Sequence, residues 1–166
     1  MPVSDDPAFE LLRAFGRLEY QLKRRHHFLR ADGYGNAMVN WKAVNVRVAA
    51  LQPGDFIDRL SEATRRKVLD GAHDRPKVQK VEEENRVQKA VFRSQPLLRP
   101  DSEPSDAAAL IEAARRVRNN LFHGGKEDRE EQPFDGDDDE WANAALDIAS
   151  QLLLLVDEDR FGPPSH

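Results

Sequence analysis

The chain has 166 residues, 39% of them hydrophobic and 33% charged, with a mean hydropathy of −0.72 and no cysteine. That is the length of one ordinary domain, charge-rich but with too many periodic Leu, Ala and Val to be disordered throughout. The absence of cysteine excludes a disulfide scaffold, a thiol nucleophile and a cysteine-ligated metal, and it suits a reducing, cytoplasmic setting. The opening MPVSDDP has no apolar stretch, so no signal peptide is expected. The longest apolar run, LLLLV at 152–156, is too short to span a bilayer, so no membrane partner is expected. The net charge of −5 divides unevenly, with residues 127–166 at −11 and residues 1–126 at +6. A basic body can attract phosphates, and an acidic end can shield it; solvated helix faces would show the same split.

In chain order, the spacing predicts a first helix from Pro7 to about Arg30. Leu11, Phe15, Leu18, Leu22 and Leu29 lie on one face, Asp6 is the cap, and Gly33 and Gly35 end the segment. A second helix is expected from about Ala37 to Leu51, with Met38, Trp41, Val44, Val48 and Leu51 inward and Pro53-Gly54 as its stop. Asp55 can cap a third, carrying Phe56, Leu60, Ala63 and Leu69 inward. The stretch 72–104 reads as an irregular connector, helical in part or extended, with Pro96, Pro100 and Pro104 marking a loop. Ser105 then caps a clear helix with Leu110, Ala114, Val117 and Leu121 as its inward stripe, ended by Gly124-Gly125. An acidic loop, 127–139, leads to a last helix from near Asp139 to about Asp159. Its stripe is Trp141, Ala145, Ile148, Leu152 and Val156, widened by Leu153, Leu154 and Leu155 into a helix fit for a central place. No stretch alternates convincingly and no domain boundary stands out. The expectation is therefore a single all-α domain over 1–166, an antiparallel bundle of four to five main helices.

The informative string is Arg118-Asn119-Asn120-Leu121-Phe122-His123-Gly124-Gly125-Lys126, which gathers an Arg, two amides, a His and a Lys at one helix end. At about 100° per residue, His123 projects about 200° and Asn119 about 160° from the inward stripe, with Arg118 about 140° from His123. Taking Arg118 and His123 as directed away from the core, their replacement is expected to cost little stability. Phe122 is expected to face sideways or outward near an exposed Ile111, and a polar cluster edged by exposed apolar residues suggests an interface containing a reaction site. A His in the last turn before Gly is also favourable for dipole reasons alone. A loosely spaced Arg and His pair recurs at Arg66 with His73, Arg116 with His123, and Arg160 with His166, so spacing by itself does not discriminate.

The full string RNNLFHGGK, on a capped amphipathic helix, resembles the signature of the HEPN superfamily (higher eukaryotes and prokaryotes nucleotide-binding domain). The form looks like that of bacterial, Apea-like members. Phe15, Leu18-Glu19-Tyr20, Leu22-Lys23 and Trp41 resemble the first helices of that subgroup, and 72–104 has no counterpart. The resemblance implies a helical bundle that dimerises with its two signature segments facing each other. It also implies a metal-independent endoribonuclease, acting as a toxin or defence effector. It assigns catalysis to Arg118 and His123, with Asn119 as polar companion. Asn120 and Lys126 become candidates for substrate contact; together with Gly124 and Gly125 they match the subgroup without a transferable catalytic role.

These residue types suit the chemistry. An RNA 2′-hydroxyl attacking its own phosphate needs proton transfer, which His supplies near neutrality, and a cation for the developing charge, which the Arg fork supplies. A two-fold dimer would bring two such pairs to one cleft. The expected partners are therefore RNA, a second copy of the chain and a cognate antitoxin protein, with no cofactor and no metal. Two other readings stay open: a catalytically silent HEPN-type module that binds nucleotide, RNA or a partner protein, and a plain helical adaptor whose signature is only a helix cap. His26-His27 beside Arg24-Arg25 could make the first helix an RNA-tracking face or a solvated one. The acidic run from Asp135 to Glu140 lacks EF-hand spacing, and a helix N-terminus rich in Asp accounts for it.

Overall fold

The computed structural model describes residues 5–70, 77–94, 105–123 and 138–161. It is mostly helical, with two small antiparallel sheets. The helices are α1 (Asp5–Lys23), α2 (Trp41–Ala49), α3 (Glu62–Arg65), α4 (Asp106–His123) and α5 (Asp138–Asp157). The strands are β1 (Leu29–Ala31), β2 (Ala37–Val39), β3 (Lys77–Glu84) and β4 (Val87–Ser94).

The long helices follow their apolar periodicity. In α1, Leu11, Phe15, Leu18 and Leu22 are buried on one face and pack against α5. In α5, Trp141, Ala145, Ile148, Leu152 and Val156 are buried, with Ala142, Ala149 and Leu155 widening the contact. α4 packs against α5, α1 and α2, and it also meets β3 and the turn after α3. α4 starts where the Ser105 hydroxyl accepts from the Ala108 N–H at 3.0 Å.

Several expectations are corrected here. α1 ends at Lys23 rather than near Arg30, because the chain turns through a 3₁₀ segment, His26–Phe28, and enters β1. β1 pairs antiparallel with β2, so Met38 sits in a strand and Gly33 and Gly35 belong to the hairpin turn. Asn40, not a residue near Ala37, caps α2: its side chain accepts from the Ala43 N–H at 3.2 Å. The third segment is broken into short 3₁₀ turns, then α3 capped by Ser61, then a wider π turn over Arg66–Asp70. Asp147 of α5 fixes it by accepting from the Ser61 N–H at 2.9 Å and the Thr64 hydroxyl at 2.7 Å.

The largest departure from an all-α fold is the β3–β4 hairpin inside the stretch read as a connector. Its strands pair from Lys77 with Ser94 to Glu84 with Val87. Asn85 and Arg86 both have positive φ, 52° and 66°, the signature of a type I′ turn. Residues 80–90 are exposed, and Val91 is buried at the base. The remainder of 72–104, and all of the acidic loop except Asp138 and Asp139 at the start of α5, lie outside the described residues.

The C-terminal ends of α1 and α5 meet. Arg25, just past α1, donates to the Val156 carbonyl at 2.6 Å, so this pair is not the head-to-tail pair of a simple antiparallel bundle. α5 closes with the Arg160 N–H on the Leu155 carbonyl at 2.8 Å and the Asp159 N–H on the Val156 carbonyl at 3.2 Å. That is a Schellman cap, and Asp159 holds its left-handed position with φ 54°. Phe161 folds back onto Phe28, ring centroids 5.1 Å apart, while Arg47 donates to its carbonyl at 3.0 Å.

Candidate functional site

The RNNLFHGGK string begins on the last turns of α4, which closes at His123. The side chains of Phe122 and His123, and all of Gly124, Gly125 and Lys126, lie outside the described residues. The structure therefore describes Arg118, Asn119, Asn120 and Leu121; Leu121 packs against the core as its place in the inward stripe requires, and the three polar residues each have a different surrounding.

Asn119 is exposed, as its phase on the helix predicts. Asn120 is buried, at 5% exposure, on the opposite flank, which also holds the buried Ala109, Ala113 and Arg116. Arg116 donates to Glu112 at 2.9 Å, a pair one turn apart along the helix.

Arg118 is not an outward residue. It lies about 70° from the inward stripe on an ideal helix, on the flank that meets α1. Its guanidinium donates to Glu19 Oε1 at 2.8 Å and stands over the Phe15 ring, 5.3 Å from the centroid. The side chain is only 19% exposed. Ile111 is also corrected. It is 1% exposed and belongs to the core, because α4 is enclosed on three sides rather than one.

Sequence reasoning passed over Arg115. Its guanidinium lies over the Trp41 ring at 4.9 Å, and Trp41 in turn meets Phe15 at 6.3 Å. A ladder thus runs Arg115, Trp41, Phe15, Arg118, Glu19 across α4, α2 and α1, with cation–π contacts at both ends. Burial first, and then the charge of Arg118, pushes the Arg115 pKa down from its ordinary value, against the pull of Glu112 and Glu19. An arginine keeps its charge under such a push. Its Nε is buried with no hydrogen-bond partner among the described residues. Two guanidinium groups are thus held against aromatic faces on one helix, with the charge of Arg118 met by the Glu19 carboxylate. The available signal was helical spacing: Ala108, Glu112, Arg115 and Asn119 follow the outer strip of α4, and position 123 continues it.

Among the described residues no group of three or more His, Cys, Asp or Glu side chains could hold a metal ion. Among them, too, no helix is long and apolar enough to cross a membrane. Comparison of the chain with protein-family models, with curated proteins and with solved structures finds no match.

Proposed function

We propose that the chain is a HEPN-like, metal-independent endoribonuclease that cuts RNA at a site shared across a homodimer, in the role of a toxin or defence effector. The observation that carries this reading is the RNNLFHGGK string itself, beginning on the last turns of a Ser105-capped helix that closes at His123. His123 moves protons between the 2′-hydroxyl and the leaving oxygen. Arg118 neutralises charge on the phosphorus-bound oxygens. Asn119, exposed on the outer strip, donates or accepts at the same substrate, and Arg115 adds positive charge beside them. Asn120 supports the helix end from its buried position, and Lys126 meets backbone phosphate.

The test is RNA cleavage in excess EDTA by the full chain and by His123→Ala. General acid–base catalysis by one side chain is worth about 10²–10⁴-fold, and that loss is expected with the helical circular-dichroism signal unchanged. Activity that requires Mg²⁺ or Mn²⁺ would mean a different reaction class.

One observation favours the second reading, a silent RNA- or partner-binding module. The Arg118 guanidinium is already engaged by Glu19 and largely covered. In that case wild-type and His123→Ala chains bind RNA equally and neither cuts it.

A further inference from the structure

We infer that the outer face of α1 is a track for single-stranded RNA, with Phe9 and Tyr20 as stacking platforms and Arg13, Arg17 and Arg24 as phosphate contacts. The inference rests on the RNA-directed reading of α4 and names the form of RNA the protein takes.

Phe9, Arg13, Gly16 and Tyr20 succeed one another at helical spacing along the face opposite the buried Leu11, Phe15, Leu18 and Leu22, and Arg24 follows in the turn one residue past the helix. Phe9 is 66% and Tyr20 60% exposed. Two large aromatics this open on one helix face add nothing to the buried core. They stand about 16 Å apart along the helix, at about 1.5 Å per residue. Arg24 lies over the Tyr20 ring at 5.8 Å. Arg13 and Arg24 have no carboxylate partner among the described residues, and Arg17 reaches Asp157 only at 3.5 Å in an exposed pair. Gly16, between the two aromatics, has no heavy atom within 4 Å of where a Cβ would stand, so the helix backbone is open to close approach.

The alternation decides the occupant. A groove-binding protein helix needs a contiguous apolar stripe, and here the two aromatics are parted by Arg13, Gly16 and Arg17, with Arg17, Lys23 and Arg24 around Tyr20 and with Asp5, Asp6 and Glu10 beside Phe9 in the sequence at the acidic start of the helix. Separate π-faces interleaved with cations match a strand whose bases are unstacked and whose phosphates run alongside. A duplex keeps its bases stacked within and gives such aromatics nothing to receive.

The test is fluorescence anisotropy of the full chain with a fluorescein-labelled oligouridine of about 12 nucleotides. The His123→Ala background keeps the probe intact. Tyr20→Ala and Phe9→Ala are each expected to weaken binding about 5- to 150-fold, since stacking is worth about 1–3 kcal/mol per base. Arg13→Ala and Arg24→Ala should weaken it and flatten its salt dependence. Gly16→Glu places a carboxylate in the track while improving helix propensity, so its loss of binding cannot come from unfolding.

Unchanged affinity in Tyr20→Ala and Gly16→Glu overturns the track even if His123→Ala abolishes cleavage. Lost affinity in those variants upholds it even if no chain cleaves. Equal affinity for a duplex of the same length, or for a poly-glutamate peptide, overturns it in favour of plain charge attraction. A fall in solution mass on Tyr20→Ala overturns it in favour of a contact between copies.

Discussion

Arg118 of α4 and Glu19 of α1 are joined by a 2.8 Å ion pair, with both side chains mostly covered. Arg118 is thereby tied to the fold as well as to the proposed chemistry, and its replacement has two separable effects. Arg118→Ala is expected to lower RNA cleavage about 10²–10³-fold, as for a lost charge-stabilising donor. It should also lower stability by about 1–3 kcal/mol, because Glu19 is left part-buried without its cation. Glu19→Gln combined with Arg118→Ala should be less destabilised than the sum of the two single changes. Denaturant melts of the four chains measure this, and strict additivity would show that the pair contributes nothing.

The shared-site mechanism needs two chains. Light scattering at micromolar concentration should report about twice 18.9 kDa. A strict monomer, unchanged by RNA, removes the basis for a composite cleft.

A second pole of the molecule is sensitive to acid. Burial, and then the charges of His26, Arg47 and Arg25, hold the His27 pKa below its ordinary value, with Asp159 opposing. The folded state thus binds this proton less readily than the unfolded chain does. Stability is fully present above the unfolded-state pKa, near about 6.5, and falls as the pH drops below it. His27→Gln should flatten that fall. Thermal melts between about pH 5 and pH 8 test it, and identical pH profiles for the two chains would exclude His27 as the source.

Asp159 holds a left-handed backbone at the α5 cap, where glycine carries no Cβ penalty. Its contact with Arg25, at 3.9 Å, is long, and the Asp159 side chain is exposed. Asp159→Gly is expected to raise stability by about 0.5–1 kcal/mol, or about 2–4 °C in Tm per kcal/mol for a chain of this size. A lower Tm would mean that the ion pair outweighs the strain.

What could be read from the residues followed their chemistry. The start of α4 was legible because Ser105 has the right side chain one residue before the helix. α5 was legible because Trp141, Ala145, Ile148, Leu152 and Val156 recur at three- and four-residue steps, and all five are buried. The end of α1 was not, because Leu29 continues the spacing of Leu22 while lying in β1. The β3–β4 hairpin was hidden twice over. Val78 and Val81 stand three apart, a helical interval, and the Asn85-Arg86 turn lacks the glycine that advertises type I′. At the site, the outward direction of Asn119 followed from phase alone. The flank position of Arg118, about 70° from the inward stripe, was also in the phase, whereas its coverage and that of Ile111 depended on how many neighbours α4 has.

The β3–β4 hairpin has a consequence for how these molecules meet one another. Among the described residues this sheet has two strands only, so each strand has an outer edge with no third strand beside it, the kind of edge to which another chain can add. Val81 and Val87 are exposed on it and would favour such pairing. Lys80, Glu82, Glu83, Glu84, Arg86 and Lys89 crowd the same exposed stretch with charge. Resistance to edge-to-edge aggregation therefore rests on side chains that lie outside the core, and stripping their charge would leave the fold intact while making its copies adhere.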